Sequence, residues 1–249
     1  IATMTTVEES EFAMVLRPRL AGRILLAAAV LTLTVAEAAE RVRERQKMVE
    51  QQIEARGIRN KKVLEVLRRV ERHRFVPDVH QESAYADHPL TIGHGATISQ
   101  PYIVAYMTEL LDPQPGDKVL AIGTGSGYQA AVLAELAGQV YTIESVPVLA
   151  RTAGDLLKDL GYRNVEVRHG DGYEGWPEQA PFQKIILTAA PPELPQVLVD
   201  QLAPGGRLVA PVGSGPMNQN LLLVEKDKQG KVTRRNVLPV RFIPMVKQR

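Results

Sequence analysis

The chain has 249 residues, 45% of them hydrophobic, with a formal net charge of +2. That is enough for one α/β domain with a sizeable core, and the near-neutral balance gives no strongly basic surface for nucleic acid. With no cysteine there is no disulfide framework, thiolate nucleophile or cysteine metal site, and the five histidines lie too far apart for ligand spacing, so no metal is expected.

Residues 1–13 show no periodicity and read as an extension. Arg17, Arg19 and Arg23 then precede the apolar run 24–35, and Ala36-Glu37-Ala38 follows. The segment Arg17 to Ala38 fits two readings: a secretory signal peptide with its cleavage site, or an apolar helix docked on the domain. It is too short for a comfortable membrane span, so no stable span is expected. Residues 41–56 are helix-like and highly charged, with Gly57 placed to end the helix. Asn60 can cap a second helix whose apolar stripe is Val63, Leu64, Val66, Leu67 and Val70. The basic clusters 41–47 and 68–74 read as solvated faces. Phe75-Val76-Pro77 breaks the helix, and residues 76–98 read as rich in loop. The domain division is therefore expected at 1–47 and 48–249.

A helix over 100–111 follows, with Ile103, Val104, Met107, Leu110 and Leu111 at helical spacing. Ser99 opens it and can act as its N-cap, with Pro101 in the tolerated first turn, or it can contact a substrate; the residue type alone leaves both open. Residues 118–122 form an apolar strand that runs into Gly123-Thr124-Gly125-Ser126-Gly127, and a helical pattern follows over 129–136. Strand, tight glycine turn and helix start together form an arrangement that places backbone N–H groups against a nucleotide-like ligand. The next strand, 139–144, ends in Glu144, about 20 residues on, where a doubly wound fold puts a ribose-binding acid. The loop reads G-x-G-x-G rather than the dinucleotide G-x-G-x-x-G, which disfavours a nicotinamide dehydrogenase and looks like the motif of S-adenosylmethionine-dependent methyltransferases.

Further on, a helix over 148–160 and a strand over 164–168 lead to His169-Gly170-Asp171-Gly172. Ligands of open α/β sheets sit outside the carboxyl ends of the strands, so Asp171 can accept from an adenine amino group, or it can simply make an Asp-Gly turn. Residues 183–189 read as a buried parallel strand, followed by a short helix over 194–202, a turn over 203–206 and a strand over 207–211. Residues 220–225 and 231–240 read as an antiparallel pair at the sheet edge. The expected fold class is α/β: a doubly wound, mostly parallel sheet with helices on both faces, antiparallel C-terminal edge strands and an N-terminal helical extension.

Several stretches together resemble the protein-L-isoaspartate O-methyltransferases: residues 93–101, 119–128, 169–172, 187–192, 204–206 and 240–244, within a similarity covering 48–246. The Thr97-Ile98-Ser99 and Thr188-Ala189-Ala190 elements carry more of it than the glycine loop does. The resemblance implies a repair enzyme that moves a methyl group from S-adenosylmethionine to the α-carboxylate of L-isoaspartyl residues in proteins and peptides, leaving S-adenosyl-L-homocysteine. It implies Ser99 as the active-site residue and a substrate site of Thr97, Ile98, Ser99, Thr188, Ala189 and Ala190. It also implies a cofactor site of Ile122, Gly123, Thr124, Gly125, Ser126, Gly127, Glu144, Asp171 and Gly172. Ala121 stands where the family usually has Glu, and Ala96 where it usually has Gln, so a cofactor-binding module or a methyltransferase for another carboxylate are the alternatives. The family further implies a monomer in the cytoplasm, or an exported protein if Arg17 to Ala38 acts as a signal peptide.

Overall fold

The structure, a computed structural model, describes residues 36–215 and 217–247. The chain divides into two compact units, Ile1–Glu44 and Arg45–Arg249, where the sequence reading places the division after residue 47. Of the apolar segment 17–38, residues up to 35 lie outside the described part. In the first unit residues 36–44 are helical, with an ion pair of 3.0 Å between Arg41 and Glu44. No helix among the described residues is long and apolar enough to cross a membrane.

The second unit opens with a correction to the expected helix 41–56. Met48–Ile53 winds as a π-helical turn, and Glu54–Arg56 tightens to a 3₁₀ turn before Gly57 at φ 100°. Its buried residues are Met48, Val49 and Ile53, a spacing of one and five that the wider i→i+5 winding brings to one side. Asn60 caps helix α1 (Lys61–Arg69), accepting from the N–H groups of Lys62 at 3.1 Å and Val63 at 3.4 Å. Val63, Leu64, Val66 and Leu67 of α1 are buried. Removing the cap with Asn60→Ala is expected to cost about 1 kcal/mol. A fall in melting temperature with cofactor affinity unchanged is the result to look for.

The stretch read as loop contains a hairpin. Strands β1 (Leu90–Gly93) and β2 (Ala96–Ile98) pair antiparallel, Leu90 facing Ile98 and Thr91 facing Thr97. Strands of three or four residues are too short to show a two-residue period, which hides them in the sequence. The turn between them is left-handed throughout, at Gly93 (φ 85°), His94 (φ 53°) and Gly95 (φ 73°).

Helix α2 (Pro101–Leu111) leads to the sheet. Its strands are β3 (Lys118–Ile122), β4 (Gln139–Glu144), β5 (Val165–His169), β6 (Phe182–Leu187), β7 (Leu202–Val212), β8 (Gln219–Lys226) and β9 (Val232–Val240), in the spatial order β5-β4-β3-β6-β7-β8-β9. Pairing is parallel from β5 through β7 and antiparallel for β8 and β9. The remaining helices are α3 (Tyr128–Ala134), α4 (Pro147–Asp159) and α5 (Gln196–Asp200). Alternate residues of β3 serve two cores: Val119 and Ala121 join the cluster that includes α2 and α3, while Leu120 and Ile122 join the cluster that includes Leu198 of α5. This is the doubly wound, mostly parallel sheet the sequence predicts.

Two boundaries differ. The helix expected over 194–202 shrinks to α5, because Pro195 sits at its N-cap. The turn expected over 203–206 lies inside β7, as an irregularity between the pairs Phe182–Leu202 and Lys184–Arg207. There a Cβ on Gly206 would meet the carbonyl oxygens of Ala203 at 2.8 Å and Gln183 at 2.9 Å, so the bulge closes on a residue with no side chain. The chain's last stretch returns to the end of β6: Ala190 N–H donates to Ile243 O at 2.9 Å and Met245 N–H to Ala190 O at 2.8 Å.

Candidate active site

The chain leaves β3 for β4 on one side, and β6 lies on the other. The carboxyl ends of β3 and β6, paired at Ile122 and Leu187, are thus the point where the strand order reverses and where ligands of such sheets bind. A cavity of about 350 Å³ opens there.

The glycine loop forms one wall, in a way that corrects the sequence reading. Its N–H groups are mostly spent inside the protein: Gly123 and Thr124 donate to Ile143 O at 2.8 and 3.2 Å, Gly127 to Thr124 O at 2.8 Å, and Gly125 to the Glu144 carboxylate at 2.8 Å. The loop is folded onto β4 rather than opened as an anion nest, and the faces of Gly123 and Gly125 line the cavity. Gly123 sits at φ 91°, and a Cβ there would lie 2.5 Å from Thr188 Oγ1. That hydroxyl donates to Gly123 O at 2.7 Å, tying the end of β6 to the loop.

Glu144, 6% exposed, ends β4 at the cavity. Besides Gly125, its carboxylate accepts from Val146 N–H at 3.0 Å. A long bond of 3.5 Å from the Ser145 hydroxyl adds to these; a carboxylate has about four acceptor sites, so the bonds orient it and leave capacity for a ligand's hydroxyl groups. Opposite, Gly172 lines the cavity at a place where a Cβ would collide with Ile122 and come within 2.8 Å of Met245 Cε. Asp171 precedes it and does form a turn, its Oδ1 accepting from Tyr173 N–H at 2.9 Å.

Of the cofactor residues the sequence suggests, the cavity brings together Ile122, Gly123, Gly125, Glu144 and Gly172. Thr124, Ser126, Gly127 and Asp171 do not line it. Thr124 is buried and hydrogen-bonded to the Thr142 hydroxyl at 2.8 Å, and Gly127 gives the room in which Leu157 of α4 packs, 3.2 Å from where a Cβ would be. Ala121 is 2% exposed in the core and is no part of the cavity wall, while Ala96 is. Among the described residues no group of histidine, cysteine and carboxylate side chains could hold a metal ion.

Beside the cavity runs a larger groove of about 930 Å³, walled by Ser99, Gln100, Tyr102 and Ile103 on one side and by residues 238–244 on the other. Thr97, Thr188, Ile243 and Pro244 line both spaces, so the two meet there. Ser99 is not the cap of α2. Gln100 occupies the N-cap position, with backbone at φ −50° and ψ 135° and no side-chain cap bond, and Ser99 Oγ has no hydrogen-bond partner among the described residues. Ala189 lines the cavity, whereas Ile98 and Ala190 are buried behind it.

Sequence reasoning misses the hairpin turn His94-Gly95, the wall of Ile143, Ser145 and Val146, and the closing stretch Ile243 to Val246. These are short loops and aliphatic side chains without a chemical signature. Only the resemblance, through residues 93–101 and 240–244, pointed toward the first and the last of them.

Comparison with known proteins gives a consistent picture. The family model for Protein-L-isoaspartate(D-aspartate) O-methyltransferase (PCMT) matches residues 43–249. A protein-L-isoaspartate O-methyltransferase of Synechococcus sp. (strain JA-2-3B'a(2-13)) is 56% identical over 209 residues, 82% of this chain and 85% of the relative. One of Gloeobacter violaceus is 52% identical over 202 residues, 81% and 98% of the two chains. Among solved structures, a protein-L-isoaspartate O-methyltransferase superposes with a TM-score of 0.73 at 27% identity, covering 80% of this chain. This chain spans 65% of the length of that solved chain, just under two thirds. A Plasmodium falciparum chain described as a beta-aspartate methyltransferase (PCMT), in complex with S-adenosyl-L-homocysteine, superposes at 0.70 with 26% identity, covering 82% and 99%.

Proposed function

The chain belongs to the protein-L-isoaspartate(D-aspartate) O-methyltransferase family, and from that premise we propose how its own residues divide the work of methylating the α-carboxylate of an L-isoaspartyl residue. The enzyme uses S-adenosylmethionine. The cavity fits that molecule: the backbones of Gly123 and Gly172 form part of its wall, Glu144 offers acceptors for a pair of ribose hydroxyls, and Ile122, Ile143 and Met245 offer an apolar surface to a base. Gly172 brings the backbone close to the adenine, with Asp171 beside it as a second contact. Thr124, Ser126 and Gly127 act by shaping the loop.

The groove takes the substrate. The observation that carries this assignment is that cavity and groove join at Thr97, Thr188, Ile243 and Pro244, so a carboxylate lying in one faces the contents of the other. S-adenosylmethionine, when bound, would supply a sulfonium methyl group whose carbon an oxygen nucleophile can attack, with the thioether of S-adenosyl-L-homocysteine as the leaving group. The attacking carboxylate, with a pKa of ~3.5, is already ionised at neutral pH, and the protein needs no strong base. Its residues raise the rate by holding the nucleophile in line and excluding water. Ser99, at the groove wall, donates a hydrogen bond that orients the carboxylate, and the small Ala189 leaves space for its approach. Ile98 and Ala190 support these positions from behind. The neighbouring peptide nitrogen then attacks the methyl ester and expels methanol to close a succinimide without the enzyme, and hydrolysis of that ring returns some normal aspartate, which is the repair.

The working unit in this reading is a monomer. The location is the cytoplasm, where S-adenosylmethionine is made, and no nucleic acid takes part. Transfer of labelled methyl from S-adenosylmethionine to an isoaspartyl peptide, set against its aspartyl twin, tests the whole reading. Label in the isoaspartyl peptide alone is expected. Cofactor binding without transfer, or equal labelling of both peptides, would overturn it.

A further inference from the structure

Asp87 stands behind the wall of the substrate groove and has no role in the account above. Its Oδ2 accepts a hydrogen bond of 2.7 Å from Arg56 Nη1, and its backbone oxygen accepts one of 3.0 Å from Gln100 Nε2. The Arg56 guanidinium lies over the Tyr102 ring, 3.5 Å from its centroid. Arg56, Gln100 and Tyr102 all line the groove, while Asp87 does not. One residue therefore holds two members of the wall directly and packs a third through Arg56. Gln100, which it holds, is also the N-cap of α2 and the neighbour of Ser99.

Hydrogen bonds within the fold satisfy only part of the Asp87 carboxylate. Oδ1 of Asp87 is buried with no hydrogen-bond partner among the described residues, and a buried acceptor left unpaired costs stability. The region behind it is already strained in the same way. Arg72, 0% exposed, donates from Nε to Ala84 O at 2.8 Å, but both of its terminal nitrogens lack partners among the described residues. Burial lowers the Arg72 pKa, and Tyr128, Tyr85 and Asp87 oppose that shift. A partly exposed ion pair such as Arg56–Asp87 adds little stability by itself. It does remove the rotamer freedom of a long side chain and fix the guanidinium plane flat against an aromatic ring.

We propose that Asp87 is a positioning residue for peptide recognition, holding Arg56 on Tyr102 and Gln100 at the start of α2 so that the groove wall beside Ser99 is already in the shape that receives an isoaspartyl peptide. This rests on the groove being the peptide site. Asp87→Asn keeps the backbone oxygen that holds Gln100 and removes the charge that holds Arg56. Arg56→Met removes the other partner.

Kinetics with an isoaspartyl peptide and calorimetric titration of S-adenosylmethionine test the proposal. Each single variant is expected to raise the peptide KM about fivefold, with kcat and cofactor affinity within about twofold. The double variant should be no worse than the poorer single, because two residues acting through one contact are not additive. Multiplied effects in the double variant would overturn the proposal. So would an unchanged KM in both singles, and Ser99→Ala measured alongside separates two cases. If Ser99→Ala is impaired, the groove stands and only the role of Asp87 falls; if it is wild-type too, the groove assignment falls with it. Should Asp87→Asn fail to fold, Asp87→Glu, which keeps the charge but moves it by one methylene, is measured in its place with the same expectation, and an unchanged peptide KM there overturns the proposal.

Discussion

Replacing Glu144 with alanine is expected to weaken S-adenosylmethionine binding by about 1.5–3 kcal/mol, a loss of roughly ten- to a hundredfold, the usual worth of hydrogen bonds to a charged group. Glu144 sits at the end of β4 on the cavity wall, and its carboxylate is already aimed by the N–H groups of Gly125 and Val146. Alanine therefore does two things. It removes the acceptors for the ribose hydroxyls, and it strands two backbone donors in a poorly solvated place, which loosens the glycine loop. Glu144→Gln separates them. Glutamine keeps the shape and one acceptor oxygen but loses the charge and the second acceptor. Its affinity should fall between wild type and alanine, with most of the thermal stability retained. Calorimetric titration reads the affinity directly, and an unchanged dissociation constant in folded Glu144→Ala would remove the residue from the cofactor site.

Ser99→Ala should lower kcat/KM for an isoaspartyl peptide by roughly tenfold or more, since about 1.4 kcal/mol of lost transition-state stabilisation is a factor of ten. On sequence alone, a loss of helix stability could have explained such a result. The structure removes that explanation, because Gln100 holds the N-cap position of α2 and Ser99 makes no capping bond. The melting temperature of Ser99→Ala should therefore stay close to wild type. Cofactor affinity should hardly change, because Ser99 lines the groove and not the cavity. Ser99→Thr is the sharper probe: it keeps a hydroxyl and adds a methyl group that would crowd an incoming carboxylate. Peptide turnover at the wild-type rate in both variants would show that Ser99 has no part in the reaction.

The two corrections at the site have one physical origin. A glycine triplet between a strand and a helix says that the backbone takes positive φ and that something approaches it closely. It does not say what approaches. For Gly127 it is Leu157, for Gly123 it is Thr188, and only part of the loop faces the cavity. In the same way Ser99 carries the composition of an N-cap, yet the next residue takes the cap position, because Pro101 fixes the first turn one residue later.

What the sequence by itself determined is local or periodic. The apolar run 118–122, the glycines after it, the acid at 144 and the cap at Asn60 each follow from the conformational limits of neighbouring residues, and each appears where the pattern puts it. The tertiary structure alone decided which distant pieces share a space. The end of β6 reaches across 65 residues to the glycine loop through Thr188 Oγ1 and Gly123 O. The stretch Ile243 to Met245 folds back on Ala190, and a hairpin of two very short strands lines the cavity with His94 and Gly95. No residue type announces these contacts. They arise because a twisted parallel sheet brings the carboxyl ends of its strands together whatever their separation along the chain, and because aliphatic side chains pack on whatever surface is left beside them.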